Sequence, residues 1–243
     1  MGGGRNRAYD FHKFFQDLYF GGLKMGKVII KNVNICVSVR GRGYRIRTEH
    51  EMGIVDVKKT YTLPGLMKNK ENVRIGDSVV LPEFVVPETT MAGEKQMRFD
   101  TQIIKDTATV YDIRDGKLYL VFNHGLFRSA VDNNNTQEWE NTQLCKYLKF
   151  AFMPAMAKAG IPAAEVSLLS KEEMFGDDRL PFFNKGTNRT AFDKDEAYTI
   201  WCWLKTPYGS GSTARFCGAD SLSADDYEVA SNTTGFVRPS FVI

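Results

Sequence analysis

The sequence predicts an α+β protein, a mixed domain preceded by a β-rich N-terminal extension, and three observations carry this. Val28, Ile30, Val33, Ile35, Val37 and Val39 largely alternate, and β-branched residues at a period of two read as strand. Asp115-Gly116 separates two apolar runs and supplies the positive φ that a tight hairpin turn needs. From Leu144 the period turns helical, through Leu148, Ala151, Phe152 and Ala155.

The elements follow in order. Residues 1–24 are aromatic, basic and bounded by glycine, with a short helix expected around Phe11–Tyr19. The codons of Gly21-Gly22-Leu23-Lys24 could spell a ribosome-binding sequence before an initiating Met25, which would place residues 1–24 ahead of the natural start. Gly53–Leu63 alternates as a strand, and so does Arg74–Val80, which Pro82 stops. Residues 87–97 read as a polar Pro/Gly/Met loop. Ile103–Ile113 and Lys117–Phe122 are the two arms of the hairpin. Asn141 or Thr142 caps the helix, Pro154 kinks it, and Gly160 with Pro162 ends it.

Val166–Leu169 is a short buried strand. Ser170-Lys-Glu-Glu173 is a capping box for a short helix that Gly176 closes. Tyr198–Leu204 reads as a strand with Trp201 and Trp203 on one face. Ala214–Cys217, Tyr227–Ala230 and Phe236–Ile243 read as further strands between Gly/Ser/Asp/Asn turns. The expected organisation is an arm at 1–27, a β-rich attachment region at 28–73 and a mixed domain at 74–243.

Composition narrows the function. The chain has 243 residues, 43% hydrophobic and 25% charged, which is enough for a real core. No window holds 18 uncharged apolar residues, so no membrane-spanning helix is expected. The N-terminus lacks the apolar stretch of a secretory signal, and Met-Gly followed by Asn6 does not fit a myristoylation site. Cys36, Cys145, Cys202 and Cys217 lack C-x-x-C spacing and read as reduced buried thiols.

Charge is uneven. Residues 1–100 carry 17 Lys/Arg against 11 Asp/Glu, whereas residues 101–243 carry 15 against 18. The densest basic run is Arg40, Arg42, Arg45 and Arg47. Arginine forks suit phosphate, yet one cluster without a recognised module makes a weak nucleic-acid interface. Docking on an acidic protein surface, or charge protection of an edge strand, accounts for it as well.

Catalytic patterns are poor. The chain has three histidines, His12, His50 and His124, and no G-x-S-x-G elbow. Asp132-Asn-Asn-Asn135 with Glu138 and Glu140 offers oxygens without the alternating order of a calcium loop, and reads as a turn into the helix cap. Asp193, Asp195, Glu196, Asp225, Asp226 and Glu228 are carboxylates of the type glycosidases use, but type is all that recommends them and they read as solvated turn charges. No catalytic residue, metal ligand or cofactor is therefore expected. The C-terminal third is richer in binding chemistry: Tyr208, Ser210, Ser212, Thr213, Arg215, Asp220, Asp225, Tyr227 and Asn232 lie in polar, aromatic-punctuated loops, suited to adaptable recognition and sugar stacking.

The order of motifs resembles a functionally uncharacterised domain family of bacteria and phages. The pieces are Arg74-Ile-Gly-Asp-Ser78, the 103–122 hairpin, Asn134-Asn-Thr-Gln-Glu-Trp139-Glu-Asn-Thr-Gln-Leu144, Val166–Gly176, Asn188-Arg189, Trp201-Cys-Trp-Leu-Lys-Thr-Pro207, Ala214-Arg215 and Gly235-Phe-Val-Arg-Pro-Ser-Phe-Val-Ile243. The resemblance spans residues 74–243 and implies a distant relation to the C-type-lectin-like fold, shared by sulfatase-modifying enzymes and variable phage receptor-binding proteins. Lys205-Thr206 replaces the family's Arg-Ser, Cys202 departs from its Trp-Trp, and an extra residue separates Gly235 from Arg238. The paired cysteines of formylglycine-generating enzymes and the Glu-Pro-Asn of sugar-binding C-type lectins have no counterpart.

On this resemblance Trp201 and Trp203 fill or flank the core, and Arg238 pairs with a buried carboxylate, Glu173 or Asp195. Loops 207–213, 218–226 and 231–235 would share one end of the fold. The expected function is a non-enzymatic phage virion protein, a capsid decoration or tail component. It would dock on other virion proteins through its basic N-terminal region, without nucleic acid or membrane, and form a homo-oligomer. Its loops would meet a host-surface glycan or protein. The alternatives are an enzyme, either an oxidase of the formylglycine-generating type or a cell-wall hydrolase, and an intracellular binding protein with diversified loops.

Overall fold

The computed structural model describes residues 36–40, 43–47, 58–193, 199–208, 213–220, 223–224 and 226–243. The chain divides into two compact units, Met1–Val57 and Lys58–Ile243. In the first, the described residues form an antiparallel hairpin of β1 (Cys36–Arg40) and β2 (Gly43–Arg47). Arg40 stands opposite Gly43, Arg45 opposite Ser38 and Arg47 opposite Cys36. Arg42, the expected arm helix and the expected strand residues 28–35 lie outside the described residues.

The second unit begins earlier than the sequence boundary at 73/74. β3 (Thr60–Thr62) pairs in parallel with β4 (Ser78–Val80), so the chain from Lys58 is part of the main sheet. Leu63 does not extend β3. The Thr62 hydroxyl accepts the Gly65 N–H and, with Pro64 in the first turn, starts a helix at Leu63–Lys68. The strand expected over 74–80 shrinks to β4, because Asp77, 3% exposed, accepts from the Lys59 and Arg74 amides in a turn where Gly76 sits at φ +93°.

β9 (Thr107–Arg114) and β10 (Lys117–Phe122) form the expected hairpin, with Asp115 at φ 50° and Gly116 at φ 71°. The run from Ile103 is broken at Lys105–Asp106, and β8 (Gln102–Ile104) pairs instead with β5 (Phe84–Val86). The expected 87–97 loop contains a hairpin, β6 (Thr89–Met91) with β7 (Met97–Phe99), anchored by buried Met97 and Phe99. Gln143 ties it down by donating to the Met91 and Lys95 carbonyls.

With β13 (Glu165–Ser167) and β20 (Ser240–Val242), the main sheet runs β13-β20-β10-β9-β4-β3. Both faces of β10 are buried: Leu118, Leu120 and Phe122 join the larger core with the helical segment, and Val121 joins a second cluster with Leu169, Met174 and Phe183. The helical segment starts at Thr142, whose hydroxyl accepts the Cys145 amide. It runs as α-helix over Gln143–Tyr147, a wide π turn over Leu148–Phe152 and α-helix over Met153–Lys158. Pro154 has no N–H to return to the Phe150 carbonyl, so the ladder slips there rather than breaking. Gly160 at φ 80° ends it.

A second sheet runs β12 (Phe127–Arg128), β19 (Phe236–Val237), β16 (Cys202–Pro207), β17 (Arg215–Ala219) and β18 (Asp226–Val229). A small third sheet holds β11 (His124–Gly125), β14 (Ala191–Asp193) and β15 (Thr199–Ile200). The strand expected over 236–243 is two strands in different sheets. Arg238-Pro239 separates β19 from β20, since proline cannot donate to a ladder. The architecture is mixed α+β, mostly sheet with few and short helices. Among the described residues no helix is long and apolar enough to cross a membrane.

Candidate functional site

Trp203 and Trp201 set the scaffold. Trp203 is 1% exposed and its indole N–H donates to the Ser129 carbonyl at 2.8 Å. Trp201, partly buried, meets it edge-on at 5.0 Å. Gly235 lies against both rings: a Cβ there would stand 2.5 Å from Trp201 Cη2 and from Trp203 Nε1. A glycine is required at 235 by that approach.

Arg238 does not pair with Glu173. Its Nε donates to the Phe122 carbonyl at 2.7 Å and its Nη1 to the Arg189 carbonyl at 3.4 Å. Glu173 instead closes the capping box of the helix Lys171–Phe175, accepting the Ser170 N–H at 2.7 Å, and pairs with Lys205 at 3.3 Å. A capping glutamate is already committed to its own helix start. Asp195 lies outside the described residues.

The three loops do not share one end. β17 pairs antiparallel with β18, Arg215 opposite Val229 and Gly218 opposite Asp226. The Tyr208–Ala214 connection therefore sits at one end of the ribbon, with the turn after Val229 that carries Asn232. The Asp220–Asp225 turn sits at the other end, on the order of 15 Å away along a five-residue strand. Successive hairpin turns of an antiparallel ribbon always alternate ends. Tyr208, Thr213 and Arg215 are exposed at the first end. Asn232 is held there by Glu228 and Thr234. Asp220 is exposed at the second, accepting from the Ser223 amide. Tyr227 lies on β18 opposite Cys217. Ser210, Ser212 and Asp225 lie outside the described residues.

At the Tyr208 end a groove of about 400 Å³ opens, lined by Gln137, Glu138, Trp139, Glu140, Ser170, Glu172 and Lys205–Pro207. Three segments build it. The 137–140 rim is positioned by Asp132, 1% exposed, whose carboxylate accepts from the Asn134, Thr136 and Gln143 amides. Asn135, at φ 61°, accepts the Ala214 amide and so joins this rim to the start of β17. Buried Trp139 packs its ring against Phe216 at 6.3 Å. On the second side, the Thr206 hydroxyl accepts the Lys171 amide and donates to Glu172. Hydrogen bonds from its own backbone amide and then Thr206 hold the Glu172 carboxyl below the usual range. The third side is the end of β16 itself.

The groove is acceptor-rich. Glu138 and Glu140 are exposed, Glu172 is ionised, and the Lys205 charge is engaged by Glu173. Its size falls in the usual range for small-ligand sites, and such a surface suits a ligand presenting hydroxyl or amino donors. Of the expected binding residues the structure brings Tyr208, Thr213, Arg215 and Asn232 to this end. It adds Gln137, Glu138, Glu140, Glu172 and Thr206, which sequence reasoning did not select for binding. The signal was present in two places, Glu138-Trp139-Glu140 in the motif order and Lys205-Thr206 as a departure from it.

Several other reactive groups among the described residues have partners or raised thiol pKa values, whereas His12, His50 and the Cys36 side chain lie outside what the structure describes. Cys217 donates to the Ala224 carbonyl at 2.7 Å. Burial pushes the Cys202 thiol up to about 12 and also raises Cys145, the opposite of what a thiolate nucleophile needs. His124 Nδ1 lies 2.6 Å from Asp106, whose other oxygen accepts the His124 N–H. Glu228 holds Asn232 at 3.0 Å. Asp195, Glu196 and Asp225 lie outside the described residues. Comparison with family models, curated proteins and solved structures finds no match to this chain.

Proposed function

We propose that this chain is a non-enzymatic phage virion protein, capsid-decorating or tail-associated, that displays a C-type-lectin-like domain toward a host-surface glycan or protein. The observation that carries the binding part is the acceptor-rich groove at the Pro207 end of β16. A glycan presents many hydroxyl donors, which Glu138, Glu140, Glu172 and Thr206 would accept. The virion setting rests on the resemblance of the motif order to phage domains and on the basic first hundred residues, which would dock on an acidic virion surface.

The test is binding of the full-length protein to arrayed bacterial surface glycans. The double variant Glu138→Gln/Glu140→Gln is expected to bind about tenfold more weakly, corresponding to about 1.4 kcal/mol of lost hydrogen bonding. Asp220→Asn, at the other end of the ribbon, is expected to bind as the parent does. An equal loss in both variants would move the site away from the groove. Release of soluble fragments from the glycan would replace the binding reading with a hydrolase.

A further inference from the structure

β5 and β8 form a two-stranded sheet of their own. One face of it carries Phe84, Val86 and Ile104, all buried, with Phe84 edge-on to Phe152 at 5.3 Å. Strand alternation turns Val85 and Ile103 to the other face, where they stand directly opposite one another. Val85 is 52% exposed and Ile103 67%. Among the described residues no large apolar side chain is more exposed than Ile103. Single exposed apolar residues are ordinary, but a directly opposed Val–Ile pair is a patch.

Charge frames this patch. One position beyond the ladder, Glu83 stands across from Lys105 at one end, and Pro87 stands across from Thr101 at the other; all four are exposed. Among the described residues neither Glu83 nor Lys105 forms an ion pair. The outward face therefore has three rungs: an acid beside a base, valine beside isoleucine, and an uncharged proline beside threonine.

We propose that a second copy of this chain docks on this face, about a two-fold axis parallel to the strands. A two-fold contact must be complementary to itself, and this axis makes the face so. It lays β5 of each copy over β8 of the other, so each outward residue meets the type it already opposes in its own ladder. Val85 faces the partner's Ile103, Glu83 faces the partner's Lys105, and Pro87 faces the partner's Thr101. A two-fold axis across the strands would set Glu83 on proline and Lys105 on threonine, and would bury both charges unpaired. A wholly apolar partner would do the same. From strand spacing and rise the six-residue face covers on the order of 200 Å² per copy. A stable interface covers about 800 Å² per partner, so the association is weak, with a dissociation constant of about 0.1–1 mM.

The test is sedimentation of the full chain at concentrations up to about 2 mM. The parent is expected to be in monomer–dimer equilibrium, and Ile103→Ser to be monomeric throughout. Glu83→Lys alone sets lysine on lysine across the axis, and Lys105→Glu alone sets glutamate on glutamate. Each is expected to associate at least tenfold more weakly than the parent. An equimolar mixture of these two variants restores both ion pairs in the heterodimer, and is expected to associate within about threefold of the parent. Recovery on mixing also shows that both variants are folded. A parent that stays monomeric at 2 mM would overturn the proposal. Association unchanged in Ile103→Ser would overturn it by placing the contact elsewhere, and a mixture no stronger than its components would overturn the two-fold pairing.

Discussion

Trp203→Ala is expected to lower the unfolding free energy by about 3–5 kcal/mol, the usual cost of truncating a buried tryptophan. Trp203 is 1% exposed, lies opposite Gly218 in the β16–β17 pairing, and meets Trp201, Gly235 and the Ser129 carbonyl. Truncation removes the indole volume and leaves the buried Ser129 carbonyl without its donor. Neighbours cannot collapse into the space easily, because Gly235 has no side chain to move and β12, β16 and β19 are tied by their ladders. Urea unfolding followed by far-UV circular dichroism would read the loss as a shift in midpoint at constant m. A change under about 1 kcal/mol would contradict this packing.

Asp132→Ala is expected to cost about 2–4 kcal/mol and to loosen the groove as well. Its two oxygens satisfy three backbone amides, those of Asn134, Thr136 and Gln143, at 2.7, 3.0 and 3.1 Å. Each buried donor left unpaired costs about 1–3 kcal/mol, less when the loop relaxes toward water. Relaxation would release the 133–135 turn, which holds the Lys95 and Ala214 amides through Asn134 and Asn135. Thus the variant is expected to bind glycan more weakly even where it remains folded. Hydrogen exchange at the 134, 136 and 143 amides would read the local part directly. Protection equal to the parent's would contradict the role given to Asp132.

Much of the fold is legible in the sequence wherever a local rule acts alone. The Asp115-Gly116 hairpin, the Thr142 cap and the Ser170–Glu173 capping box each depend on residues within a few positions of one another. The misses come from distant partners. Ile103–Ile113 alternates as one strand, but Asp106 is drawn to His124, 18 positions away, and the run breaks. Phe236–Ile243 reads as one strand, but its halves pair in different sheets.

The candidate site shows the same division. Antiparallel order alone would have separated the Asp220–Asp225 turn from the Tyr208–Ala214 connection. The groove could not be read so directly, since its walls are joined by the Thr206–Lys171 and Asn135–Ala214 bonds, 35 and 79 positions apart. Of the two carboxylates expected for Arg238, Glu173 is committed to its own capping box and Asp195 lies outside the described residues; backbone carbonyls 116 and 49 positions away accept the Arg238 Nε–H and one Nη1–H.

The central claim, a displayed virion protein, is tested most directly by quantitative mass spectrometry of purified phage particles from the host that carries the gene. This chain is expected in the particles at fixed stoichiometry, in hundreds of copies for a capsid decoration or a few for a tail component. Its absence from particles, with the chain recovered from the host lysate instead, would contradict that claim and leave the groove to serve an intracellular ligand.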